Sequence, residues 1–181
     1  MKYLIVSDIH GSCRRLEQVL DFFESEHYDM LVILGDIINY GPRNGLPEGL
    51  DAMGIVERLN ALANKIVAVR GNCDSEVDQM LLKFPCLADY LVMVVADKRI
   101  FLTHGHKYHP ENRTPLGCDA FFYGHTHLQE LYKAEDGVLI CNTGSITFPK
   151  GRNVPTFATI DEDLTVRLRQ LDGSIIKENK L

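Results

Sequence analysis

Five short apolar segments of this chain end in an acidic residue, an asparagine or a histidine, and glycine stands beside most of these ends. A continuous apolar run of four or five residues is typical of a strand buried on both faces. In open α/β sheets, the carboxyl ends of parallel strands form the edge at which ligand sites lie. The polar ends are, in chain order, Asp8-Ile9-His10, Gly35-Asp36, Gly71-Asn72-Cys73, His104-Gly105-His106 and Gly124-His125-Thr126-His127.

The first half of the chain alternates between strand and helix patterns. Strands are predicted over 2–7, 30–34 and 65–69, and helices over 12–26, 51–63 and 75–82. The first helix shows the core-facing spacing of Leu16, Val19, Leu20 and Phe23, and the second places Met53, Val56 and Leu59 on one side. Such alternation predicts parallel strands with helices packed on the sheet.

The second half is rich in strands. Hairpins are predicted for 91–96 with 99–103, 129–133 with 138–141, and 156–161 with 165–171, with a further strand at 120–123 and at most one short strand after 171. Most of these pairings are antiparallel because the connections are short. The sequence therefore predicts an α/β fold in one domain over residues 1–181, built from two packed sheets with helices outside.

Composition excludes several classes of function and location. The 181 residues carry a net charge of −6 without a cluster of lysine and arginine, which argues against a nucleic-acid partner. No segment approaches the 20 or so apolar residues of a membrane helix, and the apolar run at the N-terminus is too short for a signal peptide, so a cytoplasmic location without membrane contact is predicted. Five cysteines without CxxC spacing argue against a disulfide framework or a thiolate zinc site.

The polar strand ends together supply the donors of a metal site. The candidates are Asp8, His10, Asp36, Asn72, His104, His125 and His127. Imidazole, carboxylate and amide oxygen suit Mn²⁺, Fe²⁺ or Zn²⁺. A single aspartate at a strand end is usually a turn former, but seven donors on five such ends exceed what one ion needs. Two ions roughly 3.5–4 Å apart that share a bridging carboxylate would use them all and activate a hydroxide for attack on a phosphate.

The ordered set of motifs resembles that of the calcineurin-like metallophosphoesterases over roughly residues 1–150, and the runs 32–47 and 69–85 resemble a small bacterial phosphodiesterase of that family. The resemblance implies a four-layer α-β-β-α sandwich with mixed sheets and a dinuclear site at its edge. One ion would take Asp8, His10, Asp36 and His127, and the other Asp36, Asn72, His104 and His125, with Asp36 as the bridge. It further implies two divalent ions, Mn²⁺ first and Zn²⁺ or Fe²⁺ as alternatives, and a homo-oligomer, either dimer or tetramer.

Cys73 departs from the family pattern, in which most members have histidine at this position. That histidine steadies the attacked phosphate or protonates the leaving oxygen, whereas a thiol is a weak donor that is mostly neutral at pH 7. Because an alkoxide that leaves a monoester needs a proton, the cysteine predicts diesterase activity above monoesterase activity. Two other interpretations stay open: a packing residue beside the site, and a nucleophile or redox switch.

These residues predict a metal-dependent phosphodiesterase that hydrolyses small phosphodiesters by attack of a metal-bound hydroxide. Asp36, Asn72, Cys73 and His104 are the candidate catalytic residues. The alternatives are a phosphomonoesterase or nucleotide phosphatase, and a non-catalytic scaffold of the same fold like the small retromer subunit. At the mouth of the site, Asn39, Tyr40, Arg43 and Asn44 are candidates for substrate contact.

Overall fold

The structure is a computed structural model that describes residues 1–113 and 117–181, and within them the chain forms eleven strands and three α-helices. The strands are β1 Tyr3–Val6, β2 Met30–Ile33, β3 Ile66–Ala68, β4 Tyr90–Val95, β5 Lys98–Thr103, β6 Ala120–Tyr123, β7 Glu130–Lys133, β8 Leu139–Asn142, β9 Thr156–Ile160, β10 Thr165–Gln170 and β11 Ile175–Lys180. The helices are α1 Cys13–Ser25, α2 Ala52–Ala61 and α3 Glu76–Leu81. Every predicted strand and helix is present, with ends that differ by a few residues.

The first sheet has the strand order β11-β10-β9-β1-β2-β3. As predicted, β1, β2 and β3 are parallel, with Ile5 opposite Val32 and Val32 opposite Val67. The carboxyl ends of these three strands therefore lie side by side. That edge receives the loops that begin with Asp8, Asp36 and Asn72.

The second sheet has the strand order β4-β5-β6-β8-β7 and is also mixed. Strands β5, β6 and β8 are parallel, while β4 and β7 pair antiparallel at the two ends. Because β5 and β6 run in the same direction, the loops that carry His104 and His125 leave the sheet at the same edge.

Two cores hold the layers together. The first lies between the two sheets and contains fully buried side chains such as Ile5, Leu102 and Phe122. The second lies between the first sheet and its helices, where the predicted stripe of α1 is buried. On α2 the prediction is wrong at one position, because Met53 is 61% exposed while its neighbour Ile55 is buried.

The outer face of the second sheet has its own small cluster of stacked aromatic rings. Phe101 and Phe121 lie 5.4 Å apart between centroids, and Tyr108 and Cys118 pack against the cluster. In the described residues, this outer layer contains a 3-10 turn at Pro110–Asn112 but no α-helix. The two facing mixed sheets agree with the predicted sandwich, and the helices α1 and α2 pack on the outer face of the first sheet. No helix in the described part of the chain is long and apolar enough to cross a membrane.

Candidate metal centre

All seven predicted donors lie at the edge where the two sheets meet, and they fall into two groups around Asp36. The buried triad consists of Asp8, His10 and His127, and the open triad consists of Asn72, His104 and His125. The ends of β1 and β2 and the loops after β3, β5 and β6 each supply part of the set. The parallel pairs in both sheets are the reason that these loops meet.

The buried triad brings three ligand atoms together. The Nε2 atoms of His10 and His127 lie 3.1 Å apart, and Asp8 Oδ1 lies 3.4 Å from the first and 3.2 Å from the second. The other oxygen of Asp8 accepts hydrogen bonds from Ser7 Oγ at 2.7 Å and from the backbone N–H of His125 at 2.9 Å. Asp8 is thus held firmly through one oxygen while the other points at the two imidazoles.

The open triad likewise brings three candidate ligand atoms close together, on the other side of Asp36. His104 Nε2 lies 3.1 Å from Asn72 Oδ1 and 3.3 Å from His125 Nδ1. His104 is fully buried, whereas Asn72 is exposed and His125 is only partly buried.

Asp36 lies between the two triads. Its Oδ2 is 3.6 Å from His10 Nε2 and 3.5 Å from His104 Nε2. Its Oδ1 accepts a hydrogen bond of 2.8 Å from the backbone N–H of Cys73. This carboxylate is therefore within reach of an imidazole of each triad.

The hydrogen bonds of the imidazoles test whether these residues fit a cation. The Nδ1 atoms of His10, His104 and His127 face the backbone carbonyls of Asn39, Leu34 and Phe148 at 3.0, 2.7 and 2.6 Å. Because a carbonyl only accepts, each Nδ1 carries the hydrogen, and each neutral ring presents a lone pair at Nε2. The lone pairs of His10 and His127 converge on each other and on Asp8 Oδ1, a buried oxygen without a hydrogen-bond partner among the described residues. Converging acceptors without a donor repel one another, and a bound cation would relieve that repulsion in the buried triad.

The pKa shifts of the site also show that its surroundings favour positive charge. Burial opposes the charged form of His104, but its contact with Asp36 and the charge of Asp8 outweigh burial and raise its pKa to about 9. Burial also opposes ionisation of Asp8, yet His10 and the charge of His104 hold its pKa well below the usual range. The carboxylates stay charged and attract any available cation.

The backbone of the predicted ligands is unusual. Among the described residues, eight that are not glycine have positive φ, and five of these are Asp8, His10, Asp36, His125 and His127. The left-handed region costs a residue with a side chain about 1 kcal/mol or more, and such residues cluster at functional sites. The fold therefore tolerates local strain in order to aim these side chains inward.

Two glycines allow the close packing that this arrangement needs. A Cβ at Gly71 would overlap with Asp36 Oδ1 and its backbone nitrogen, and a Cβ at Gly124 would overlap with Ser7 Oγ and Asp8 Oδ2. These two positions are limited by space, since neither has positive φ.

Asp74 fastens the loop after β2 to the loop after β3. Its carboxylate accepts hydrogen bonds from the backbone N–H groups of Asp36, Ile37 and Gly71 at 2.8, 2.8 and 2.7 Å. This side chain is 2% exposed, so the loops are tied together out of contact with water. The position of Asp36 therefore depends on a residue that is not itself a candidate ligand.

Residues after β8 hold the site from behind. The turn Thr143-Gly144-Ser145 is similar to one that the family places there for a structural role, whereas Asn142 and Thr147 were not singled out from the sequence. Ser145 Oγ donates to the carbonyl of Asp8 at 2.8 Å, and Thr147 Oγ1 donates to the carbonyl of Ile9 at 2.7 Å. Asn142 Nδ2 donates to the carbonyl of Gly124 at 2.9 Å. The available signal was the polar turn Asn142-Thr143-Gly144-Ser145 at the end of β8, which has the same form as the other strand ends.

Cys73 lies at the wall of the site. Its Sγ accepts a hydrogen bond of 3.2 Å from Asn72 Nδ2, and ligand atoms of Cys73, His10 and Asp36 lie within 4.8 Å of one another. Burial, followed by the negative charge of Asp36, raises the pKa of the thiol to about 12. Burial therefore favours the neutral thiol over the thiolate.

A cavity of about 610 Å³ opens in front of the two triads. Of the predicted mouth residues, Asn39, Arg43 and Asn44 line it, and Tyr40 does not. Lys150, which sequence reasoning did not single out, also lines the cavity. His106 lies behind the open triad, 5.3 Å from His104 between ring centroids, and therefore does not face this opening.

The geometry of the site agrees with the family and the relatives to which the chain is similar. The family model of the calcineurin-like phosphoesterase superfamily domain matches residues 1–164. Phosphodiesterase YfcE of Escherichia coli K12 is 46% identical over 179 residues, which cover 98% of this chain and 97% of YfcE.

Solved structures give the same result. The structure of YfcE, described as a phosphoesterase from E. coli, superposes with a TM-score of 0.94 and covers 99% of this chain and 98% of its own. Vps29 of Entamoeba histolytica in complex with Zn²⁺ shares the fold at 23% identity, with a TM-score of 0.64 and coverage of 100% of this chain and 98% of its own. These findings confirm the resemblance seen in the motifs and the predicted fold class. The chain belongs to the calcineurin-like phosphoesterase superfamily and is a metal-dependent phosphoesterase.

Proposed function

We propose that this enzyme hydrolyses small phosphodiesters with two divalent metal ions, Mn²⁺ first and Zn²⁺ or Fe²⁺ as alternatives. The buried triad with Asp36 would hold one ion, and the open triad with Asp36 would hold the other. The observation that carries the proposal is the convergence of the His10 and His127 lone pairs on Asp8 Oδ1, which has no hydrogen-bond partner in the described residues, with the Asp36 carboxylate between the two triads. The name of the relative YfcE supports the choice of diesters.

When bound, two such ions supply a water that is deprotonated near neutral pH and offset the negative charge of the phosphate. The chain's own residues provide orientation. Backbone carbonyls fix the tautomer of His104, and the N–H of Cys73 fixes the rotation of the Asp36 carboxylate. Asn72 and Cys73 line the cavity beside Asp36, so they would contact a phosphate that enters it.

The thiol of Cys73 supports a preference for diesters. A thiol is a weak hydrogen-bond donor, and burial raises the pKa of Cys73. It is therefore a poor general acid for a departing oxygen. A substrate whose leaving group needs no proton is favoured, and a bis-aryl diester is such a substrate.

A paired assay tests the substrate class. We expect kcat/KM for bis(4-nitrophenyl) phosphate to exceed that for 4-nitrophenyl phosphate at least tenfold in the presence of Mn²⁺. Chelation with EDTA should abolish both activities, and Mn²⁺ should restore them. Equal or faster turnover of the monoester would overturn the diester assignment in favour of the phosphomonoesterase alternative.

Substitutions at Cys73 test its role. Cys73→Ser should keep the metal content and most of the diesterase activity, because the thiol neither attacks nor donates a proton in this proposal. Cys73→His should raise the turnover of alkyl monoesters, since an imidazole can protonate an alkoxide as it leaves, and should change the turnover of nitrophenyl esters less. Loss of activity in Cys73→Ser at unchanged metal content would assign a nucleophilic or redox role instead.

The scaffold alternative shares the fold, so only the site separates it from an enzyme. Every predicted ligand position in this chain carries a competent donor, and the donors converge. We therefore expect purified protein to bind Mn²⁺ and to hydrolyse the diester. A protein that neither binds metal nor gains activity with Mn²⁺ would favour the scaffold.

A further inference from the structure

The cavity in front of the triads is larger than a phosphate group needs. Its volume of about 610 Å³ falls within the range of small-molecule sites. Histidine, asparagine, threonine and charged side chains line it, and no leucine, isoleucine, valine, methionine, phenylalanine or tyrosine does. Because the lining side chains are mostly polar or charged, the walls suit a substrate with a polar ester arm.

Two cations, Arg43 and Lys150, stand in this lining. Within the described residues, neither has a carboxylate at ion-pair distance, whereas Arg14, Arg15 and Arg58 elsewhere are paired with glutamates. A cation that lines a ligand cavity and forms no ion pair with the protein's own carboxylates can pair with a bound anion.

The segments that carry the two cations are tied to the buried triad. The N–H of Lys150 donates to the carbonyl of His127 at 3.1 Å, and His127 Nδ1 donates to the carbonyl of Phe148 at 2.6 Å. On the other side, His10 Nδ1 donates to the carbonyl of Asn39 at 3.0 Å. The loop that follows is closed by the hydrogen bond of Asn44 Nδ2 to the carbonyl of Tyr40 at 2.6 Å.

Arg43 and Lys150 therefore come from different segments that flank the His10–His127 pair. Each segment is held within one hydrogen bond of a candidate ligand, so the two positive charges stay close to the place where the phosphate binds. Their side chains remain exposed and free to reach an arm of that substrate.

We propose that Lys150 and Arg43 select phosphodiesters whose ester arm carries a further negative charge, either a carboxylate or a phosphate. This inference rests on the proposed diesterase function and names its substrate class. Both side chains bind either anion, lysine as a mobile point charge and arginine as a planar fork. The same two charges repel a cationic arm, so the cavity discriminates in both directions.

A series of diesters with one leaving group tests the inference. The substrates are 4-nitrophenyl phosphodiesters whose second arm is 2-hydroxyethyl, 2-aminoethyl, carboxymethyl or 2-phosphonooxyethyl. We expect kcat/KM for the two anionic arms to exceed that for the hydroxyethyl arm about fivefold, the order expected for a partly exposed ion pair. The aminoethyl arm should be the slowest, and the differences should shrink at high salt.

Variants identify the residues responsible. Lys150→Met and Arg43→Met should each lower the ratio of kcat/KM between anionic and neutral arms, and the double variant should bring it close to one. Lys150→Arg should preserve the ratio because it keeps the charge. Arg152→Met is the matched control, since Arg152 is an exposed cation in the same turn that does not line the cavity, and it should leave the ratio unchanged.

A binding measurement provides a readout without turnover. Calorimetric titration of the Mn²⁺-loaded protein should give a Kd about fivefold lower for phosphoglycolate than for ethyl phosphate, and Lys150→Met should remove the difference. Equal kcat/KM for neutral and anionic arms, or equal Kd values, would overturn the inference while leaving the diesterase function standing. Failure to hydrolyse any diester would overturn the proposed function, and the titration would then decide the inference by itself.

Discussion

The buried triad and the open triad carry the same kinds of donor in opposite surroundings. Asp8, His10 and His127 are 0%, 1% and 4% exposed. In each of them the polar atom that does not face the site has a hydrogen-bond partner. In the open triad only His104 is buried in this way, while the amide nitrogen of Asn72 reaches only the sulfur of Cys73.

This difference in burial suits the two triads to different tasks. The buried triad is suited to holding an ion, and the open triad is suited to contact with a substrate. A triad whose side chains are locked before binding loses little conformational entropy when it takes an ion, and its affinity is correspondingly high. The open triad must order an exposed asparagine but lies where a phosphate can enter. We expect the ion of the buried triad to be the tighter one and that of the open triad to exchange more readily.

The largest expected effect comes from Asp36, which serves both triads. Asp36→Asn removes the shared charge and should lower kcat/KM at least about a thousandfold, the size implied by a loss of several kcal/mol of charge stabilisation. Elemental analysis should find the content of both ions reduced, with an unchanged circular dichroism spectrum. Normal metal content together with activity within tenfold of the unsubstituted enzyme would contradict the bridging position.

The next effect compares the triads directly. Asp8→Asn should remove the tight ion so that millimolar Mn²⁺ does not restore activity. Asn72→Ala should raise the apparent Kd for Mn²⁺ about 10- to 100-fold, with activity recovered at high metal concentration. Metal titrations of the two variants check this, and identical titration curves would mean that the two triads do not differ as proposed.

The smallest effect concerns the glycines that make room for the carboxylates. Gly124→Ala places a methyl group against Ser7 and Asp8, and Gly71→Ala places one against Asp36. Each should lower the free energy of unfolding by about 1–3 kcal/mol through overpacking, and each should weaken Mn²⁺ binding. Gly45→Ala is the matched control, because nothing lies within 4 Å of its Cβ position. Denaturant unfolding measures the three variants, and equal stability of all three would show that space at these positions does not matter.

Much of this molecule follows from patterns that are local in the chain. The buried stripe of α1 and the strands β1, β2 and β3 could be predicted because each depends on the hydrophobic pattern of a few neighbouring residues. The donor set could be predicted because each donor stands at the end of such a strand. The exposed Met53 shows the limit of such prediction. The hydrophobic pattern of a helix does not tell how much of the helix surface the neighbouring elements cover.

Other features depend on residues far apart in sequence. The carbonyls that set the tautomers of His10, His104 and His127 lie 29, 70 and 21 positions away from them. Lys150 enters the cavity because its turn is tied to His127, and nothing in its own neighbours signals this. The left-handed backbone of the ligands is likewise imposed by the packing around them.

The sequence by itself determined the layered α/β fold, the family and the identity of the seven candidate donors, because strand periodicity and strand-end chemistry are encoded within short segments. Only the tertiary structure decided that one of the two predicted groups of donors is buried and the other is open. It also decided which imidazole nitrogen faces the site and which cations stand beside it. The physical reason is that lone pairs are aimed by hydrogen bonds and burial that arise only when the two sheets pack together.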